Sequence, residues 1–210
     1  TYTSDVSSLP HVVDGNYALS FDGSNDYVNF GTKSAFNLQD FTISIWFKTT
    51  YGTNTIGNWV TLFGSQDKYT FALTSNGTGS GSSTIKFSIE QSSGVWGSIH
   101  PTNNVSDGNW HHIAILRNNT SGVFKMYLDG NYMGDNDDDL SNSQANSSNL
   151  SGVLNQPAEL LLGEWRTSGR APYPGSADEI ALWDEELSAN EITALYNSGN
   201  GINPTSNEGN

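Results

Sequence analysis

The chain has 210 residues, of which 35% are hydrophobic and 11% aromatic, so it can build the core of one large domain or two small ones. It has no cysteine, which excludes a disulfide framework, thiolate catalysis and Cys-ligated zinc. Its net charge of −14 opposes the nucleic-acid backbone, and no apolar run reaches the roughly 20 residues of a membrane span. We therefore expect neither nucleic acid nor a membrane as a partner.

Ten segments alternate apolar and polar residues and are bounded by Gly, Asn, Asp and Ser, the pattern of β-strands. They lie at 17–21, 27–30, 41–49, 59–64, 69–74, 84–90, 110–118, 124–130, 158–163 and 178–183. Along 41–49, one face consists of Phe41, Ile43, Ile45 and Phe47. Short turn-rich spacings between the strands predict an all-β fold, a two-sheet antiparallel sandwich or a barrel.

One short helix is predicted close to the C-terminus. Ser188 is a suitable N-cap, and Glu191 three residues later completes a capping box. The apolar stripe of the helix consists of Ile192, Leu195 and Tyr196. Gly199 suits the left-handed position after the last turn. We expect the helix to plug one edge or end of the sandwich, and residues 200–210 to be a tail or linker.

An ordered set of segments carries a family resemblance. "ALSFDGSNDYVNFG", "FTISIWFKT", "DGNWHHIAILRN", "KMYLDGN", "LLLGEW" and "GSADEIALWDEELSANEITALYNSG" follow one another at suitable spacing. Together they resemble the laminin G-like, concanavalin A-like group, and within it the bacterial type related to pentraxins. The resemblance spans about residues 17–199. It implies a single domain over residues 1–199, a jelly roll of two antiparallel sheets, often with bound calcium.

The carboxylates between Gly175 and Gly199 raise the question of catalysis. Sandwich hydrolases of this fold carry Glu-x-Asp-x-x-Glu on one strand, whereas Asp178 and Glu179 are adjacent and would point to opposite faces. The acidic residues 184–186 follow the strand and precede the helix. His111 and His112 also alternate along a strand, so we expect one to be packed and the other to lie at the surface. We expect no catalytic residue.

Calcium is the expected cofactor, because carboxylates and carbonyls supply the six to eight oxygens that it requires. The resemblance places the first and last strands side by side, which would let Asp22 and Asp178 share a structural ion. The alternative is that Asp22 caps a turn. The acidic loop 135–142 lacks the glycine and the distal glutamate of a calcium loop, which favours a solvated loop.

The ligand site is predicted from the loops. The resemblance to pentraxins implies a calcium site held by Asp67 and Glu164, but Trp165 and Arg166 follow where pentraxins have acids and amides. This departure favours a sugar site, because tryptophan stacks on pyranose rings and arginine binds hydroxyls. The predicted members are Asp67, Glu164, Trp165, Arg166, Arg170 and Tyr173, with Trp59 or Trp96 as a second wall. The alternative is that Trp165 and Tyr173 only pack the long loop down.

These patterns favour a non-catalytic, lectin-like carbohydrate-binding module that binds a polysaccharide or oligosaccharide. We expect a monomeric module beside other domains of a larger secreted or surface protein of a bacterium or phage, and the acidity favours a marine source. Two alternatives stay open. One is an adhesion domain that binds protein partners through an exposed apolar patch. The other is a glycoside hydrolase or polysaccharide lyase with its catalytic residues on the concave sheet face.

Overall fold

The computed structural model describes residues 2–3, 18–52, 60–65, 69–75, 83–90, 96–135, 154, 159–164 and 172–200. The strands are β1 Tyr2–Thr3, β2 Ala18–Asp22, β3 Val28–Gly31, β4 Phe41–Lys48, β5 Val60–Ser65, β6 Tyr69–Ser75, β7 Ser83–Glu90, β8 Trp96–Ile99, β9 Trp110–Arg117, β10 Phe124–Leu128, β11 Asn131–Asp135, β12 Leu160–Leu162 and β13 Pro174–Trp183. The helix α1 is Ala189–Tyr196, and single 3-10 turns lie at Ser34–Phe36 and Asn197–Gly199. No helix within these ranges is long and apolar enough to cross a membrane.

The strands form two antiparallel sheets. One has the order β1-β2-β13-β4-β9-β10-β11, and the other has the order β3-β12-β5-β6-β7-β8. The predicted all-β sandwich with one short C-terminal helix is therefore confirmed. All ten predicted strands are present, whereas β1, β8 and β11 were not among them.

The main core lies between the two sheets and is rich in phenylalanine. Its fully buried phenylalanines are Phe41, Phe47, Phe63, Phe71, Phe87 and Phe124. Phe87 on β7 bridges the sheets, because its ring centroid lies 4.8 Å from that of Phe71 in its own sheet and 5.6 Å from that of Phe124 in the other. Burying each such side chain contributes about 1.5–3 kcal/mol of transfer free energy, so the alternating apolar positions determine which face of each strand points inward.

The helix covers the outer face of the seven-stranded sheet, not an edge or end of the sandwich as predicted. Its buried residues Ile192 and Leu195 pack with Ala114, Leu116 and Tyr127 of β9 and β10 in a second, smaller core. Thr42, Ser44 and Trp46, on the other face of β4, are buried as well. An amphipathic helix stabilises the fold only where its apolar stripe meets another apolar surface, and this sheet face supplies that surface.

The helix begins as predicted and ends two residues earlier than expected. The capping box of Ser188 and Glu191 is complete, with the Glu191 backbone N–H donating to the Ser188 hydroxyl. At the other end, Asn197 already adopts the left-handed conformation, with φ 47°. Asparagine tolerates this conformation better than most residues, so it takes the position that the sequence assigned to Gly199.

Candidate functional site

A row of small side chains crosses the outer face of the six-stranded sheet. Leu161 pairs with Gly64, Gly64 with Thr70, Thr70 with Ser88, and Ser88 with Ser98. The strand neighbours Phe63, Phe71, Phe87, Ile89 and Ile99 point into the core, so these residues point outward. Thr70, Ser88 and Ser98 are only 6–9% exposed, which makes the row recessed. We call Gly64, Thr70, Ser88 and Ser98 the small-residue row.

The small-residue row can act as the floor of a ligand site. Glycine, serine and threonine do not project far from a sheet, so the ring of a ligand can come close to the backbone. The three hydroxyl groups can each donate and accept hydrogen bonds, which matches the hydroxyl groups of a sugar.

Two basic side chains lie beside one long edge of the row. Lys86 is half-buried, and it precedes Ser88 by two residues on the outward face of β7. His100 follows β8, and the antiparallel register that pairs Phe87 with Ile99 brings it next to Lys86. Burial and then the charge of Lys86 lower the pKa of His100 to about 4, so its imidazole is neutral at pH 7. Burial also lowers the pKa of Lys86.

The nitrogen Nε2 of His100 is buried and has no hydrogen-bond partner within the protein. The adjacent carbonyl of Pro101, in contrast, has a hydrogen-bond partner, because it accepts from the Thr84 hydroxyl. A buried ring nitrogen without a partner costs about 1–3 kcal/mol unless another molecule bonds to it. His100 therefore carries an unsatisfied buried polar atom beside the row.

The opposite side of the row is acidic. Glu90 ends β7 and pairs with Trp96, the first residue of β8. Glu90 lies four residues from Lys86 along the strand, about 13 Å at the usual strand rise. The site therefore has a cation on one side of the row and a carboxylate on the other. The distance of about 13 Å between them along the strand suits a short oligosaccharide. Only the strand position of Trp96 is described, not its side chain.

Most of the residues that the sequence analysis assigned to the ligand site lie outside the described residues. These are Trp59, Asp67, Trp165, Arg166 and Arg170. Their assignment stays a prediction. The small-residue row was missed, because its members become neighbours only through cross-strand pairing.

Tyr173 requires a correction, because the structure places it in the core. The side chain has no exposed surface, and its hydroxyl donates to the carbonyls of Lys48 and Ser176 at 2.8 and 3.1 Å. Its ring packs edge-on against Phe21 at 6.0 Å. A ring that is fully buried cannot stack on a sugar, so the packing alternative describes this residue.

Of the predicted calcium ligands Asp67 and Glu164, only Glu164 lies in the described ranges, and Asp67 stays a prediction. β5 and β12 are antiparallel neighbours, so Ser65 at the end of β5 pairs with Leu160 at the start of β12. Glu164 follows the end of β12, so it lies beside the start of β5 and not beside Ser65 at the end of β5. Glu164 is also buried, with 6% of its surface exposed.

The predicted calcium pair Asp22 and Asp178 is also separated. β2 and β13 do lie side by side, as expected, but Asp22 pairs with Pro174. Asp178 is four residues further along β13, about 13 Å away, which is too far for one ion at 2.3–2.6 Å from each carboxylate. Asp22 instead caps a turn, since its Oδ1 accepts the backbone N–H of Ser24 at 2.7 Å. In the described ranges, no group of three or more acidic or histidine side chains could hold a metal ion.

Asp178 and Glu179 share one cavity, although adjacent strand residues should face opposite ways. Two residues of β13 oppose one residue of β4 at this point, and Glu179 adopts a left-handed conformation with φ 46°. This β-bulge lets both residues line a cavity of about 330 Å³ whose other walls are apolar, among them Leu19 and Phe30. Burial raises the pKa of Asp178, and the bond that its Oδ1 accepts from the Glu179 N–H opposes this rise.

The histidines divide as expected into one packed and one nearer the surface. His112 is fully buried, with Nε2 2.7 Å from the Ser44 hydroxyl. This pair resembles part of a catalytic triad, but Asp129 accepts the backbone N–H of His112 and leaves Nδ1 without a partner. Because Ser44 is also buried, no substrate can reach the pair. His111 bonds to Asp129 and Asp107, whose charges outweigh its burial and raise its pKa.

Comparison with known proteins decides the family. Residues 22–193 match the model of the concanavalin A-like lectin/glucanases superfamily. The chain belongs to this superfamily. The resemblance inferred from the sequence is thus confirmed, and the sandwich described above is a concanavalin A-like domain.

One curated protein and two solved structures are examples of what this concanavalin A-like domain is similar to. The sushi, von Willebrand factor type A, EGF and pentraxin domain-containing protein 1 of Rattus norvegicus is 34% identical over 94 residues, which is 45% of this chain and 3% of that protein. The chain thus spans only a small part of that relative's length. The IT-sialidase CBM40 of Ruminococcus gnavus, bound to alpha2,3 sialyllactose, has a TM-score of 0.60 at 16% identity over 85% of this chain and 96% of its own. Domain 4 of AbnA, a GH43 extracellular arabinanase from Geobacillus stearothermophilus in complex with arabinotriose, has a TM-score of 0.60 at 19% identity over 88% of this chain and 79% of its own.

Proposed function

We propose that this domain is a non-catalytic carbohydrate-binding module of a larger secreted or surface protein. The observation that carries the proposal is the small-residue row, a recessed polar floor bordered by Lys86, His100 and Glu90. The proposal is supported by two solved structures of the same fold, one bound to sialyllactose and the other to arabinotriose.

In the proposed mode of binding, a sugar ring lies over the row and exchanges hydrogen bonds with Thr70, Ser88 and Ser98. Trp165 remains the predicted stacking residue, with Trp59 or Trp96 as a second wall. Arg166 and Asp67 remain the predicted hydrogen-bonding groups, with Arg170 beside them. Sites built from one floor and a few aromatic contacts bind with Kd values in the µM–mM range, about −4 to −8 kcal/mol.

Glycan-array binding of the wild-type domain tests the function, with soluble product measured in the same wells. We expect binding to at least one plant, algal or microbial polysaccharide without product release. Ser88→Phe should abolish this binding, because the phenylalanine ring would occupy the space above the row where the sugar ring binds. Ser34→Phe is the matched control, since Ser34 is exposed on a 3-10 turn, not on the row. Absence of binding to every glycan by the wild-type domain would contradict the proposal.

Calcium stays a prediction that the same array can test. Among the described residues, no group of three or more acidic or histidine side chains could hold a metal ion, so the calcium ligands are not assigned. Binding in EDTA at wild-type affinity would exclude calcium from the ligand site. A fall in the unfolding temperature in EDTA would assign it to the fold.

The two alternative functions find less support on the described surface. An adhesion domain would show a contiguous exposed apolar patch, whereas the exposed large apolar residues in the described ranges are Tyr27 and Tyr132. Release of soluble product in the array would instead favour a hydrolase or lyase.

A further inference from the structure

We propose that helix α1 is an acid-released cover, whose C-terminal end lifts from the seven-stranded sheet when His112 gains a proton while its N-terminal end stays attached. The inference is independent of the proposed function, because the small-residue row lies on the other sheet. It rests on how the two ends of the helix are held and on what the C-terminal end covers.

The helix packs in a core of its own. Its buried residues Ile192 and Leu195 contact the outer face of the sheet, whereas the main core lies between the two sheets. A helix of eight residues is too short to be stable alone in water, so α1 stays helical only while it is docked. The helix can therefore lift without opening the main core, as a separate unit of low local stability.

The N-terminal end of the helix is attached by polar contacts. The Thr42 hydroxyl donates to the Glu185 carbonyl at 2.8 Å and accepts the Leu187 backbone N–H at 3.0 Å. Next to them, the Glu186 carboxylate pairs with the Lys125 ammonium group at 2.7 Å. Burial acts to raise the pKa of Glu186, but the hydrogen bonds that the carboxylate accepts outweigh burial and lower the pKa. This attachment therefore persists in mild acid.

The C-terminal end of the helix covers a buried histidine with an aromatic ring. The Tyr196 ring stacks on the Trp46 ring, with centroids 5.8 Å apart, and its centroid lies 6.1 Å from that of His112. Tyr196 also fits closely against Gly130, where an added Cβ would lie 2.7 Å from Tyr196 Cδ1. Since His112 has no exposed surface in this arrangement, lifting Tyr196 uncovers the imidazole.

A docked helix leaves the imidazole of His112 without a partner for a second proton. Nε2 lies 2.7 Å from the Ser44 hydroxyl, and Nδ1 is buried without a hydrogen-bond partner. Burial lowers the pKa of His112 to about 4, although the charge of Asp129 opposes this shift. Once water reaches the ring, a proton binds near the ordinary pKa of about 6.5. Below that pH the lifted state binds more protons, so acid favours lifting.

The other titratable groups around His112 do not oppose docking in acid. The carboxylates beside His111 outweigh its burial and raise its pKa, so the docked form of this residue gains stability as the pH falls. Burial raises the pKa of Asp178, which pairs with Trp46 from β13, and acid therefore acts in the same direction there. Burial also raises the pKa of Tyr196, so its hydroxyl stays neutral. His112 is the group among these four through which acid weakens docking.

Hydrogen exchange of backbone amides tests this inference on the wild-type domain. The reporters are the amides of residues 192–197, which bond within the helix and its C-cap. With each rate divided by the intrinsic rate at its pH, these amides should exchange at least about tenfold faster at pH ~4.5 than at pH ~7.5, given pKa values of about 4 docked and about 6.5 lifted. At both pH values they should exchange faster than the β4 amides, which open only with the main core.

Two histidine variants separate local lifting from loss of the whole fold. His112→Gln should remove the pH dependence of the helix amides, because no imidazole is then uncovered. His100→Gln is the matched control, since burial and then the charge of Lys86 lower the pKa of His100 to about 4 as well, but His100 follows β8 on the other sheet. The inference is overturned if the helix and β4 amides exchange at one common rate, or if His100→Gln affects the helix amides as much as His112→Gln.

Replacing the covering ring gives a second test in which His112 is retained. In Tyr196→Ala, the His112 Cε1 proton should titrate near pH ~6.5 in NMR spectra, because water reaches the imidazole. Tyr196→Phe keeps the ring and should leave the titration at about 4. Unfolding temperatures establish that both variants fold. If His112 still titrates at about 4 in Tyr196→Ala, the helix end does not control its access to water, and the inference is overturned.

Discussion

Acid should destabilise this domain through His112, and the effect can be calculated. His112 on β9 is fully buried beneath the helix, and its ring centroid lies 5.1 Å from that of Trp46 on β4. Burial lowers its pKa from 6.5 to about 4, although the charge of Asp129 opposes this shift. The unfolded chain binds a proton near its ordinary pKa. Between the two pKa values the unfolded state therefore binds more protons, and the free energy of unfolding falls as the pH falls.

The expected loss is large compared with the stability of a typical domain. With a folded pKa of about 4 and an ordinary unfolded pKa of 6.5, lowering the pH from about 7.5 to about 4.5 removes on the order of 2–3 kcal/mol. Native domains are stable by about 5–15 kcal/mol, so this one side chain accounts for a substantial fraction.

Urea unfolding of the wild type and of His112→Gln at both pH values isolates this contribution. The variant is less stable at both pH values, but its free energy of unfolding should change with pH by on the order of 2–3 kcal/mol less than that of the wild type. An NMR titration of the imidazole Cε1 proton provides an independent measurement. If His112 titrates near pH 6.5, or if both proteins lose stability equally, the reasoning is wrong.

Three further predictions concern other residues. Tyr173→Phe should cost about 1 kcal/mol in chemical unfolding and leave glycan affinity unchanged, because only a core hydroxyl is lost. If the Tyr173→Phe variant folds but no longer binds glycan, Tyr173 belongs to the ligand site after all. Glu179→Gly should stabilise the domain by about 0.5–1 kcal/mol, since glycine relieves the left-handed strain, and a loss in Tm would refute this. His111→Gln should remove a stabilisation that is present below pH ~6.5 and lost as the pH rises through the raised pKa of His111, as measured by unfolding at several pH values.

The parts of the fold that were predictable depend on neighbours in the sequence. The inward face of β4, from Phe41 to Phe47, follows from its alternation, and the helix start follows from the spacing of Ser188 and Glu191. Both are local patterns with a direct energetic consequence, burial in one and hydrogen bonding of the first helical turn in the other.

The parts that were missed depend on the register between strands. In the sequence, the members of the small-residue row are only Gly, Thr and Ser residues between buried Phe and Ile residues. No local pattern shows that Thr70 pairs with Ser88 across the sheet. The bulge at Glu179 breaks the alternation without a glycine to signal it. Tyr173 lies in a Pro- and Gly-rich segment that favours a surface loop, and only the tertiary structure shows the carbonyls that its hydroxyl satisfies.

The position of β13 also affects how the chain can fold during synthesis. β13 lies between β2 and β4, and Pro174 pairs with Asp22 across roughly 150 residues. Until the last strand leaves the ribosome, β2 and β4 both remain open edges, and the larger sheet cannot close. The larger sheet of a nascent chain therefore forms only after residues 174–183 have been synthesised, which delays its folding. By the same logic, any truncation before residue 174 leaves two adhesive strand edges and favours aggregation.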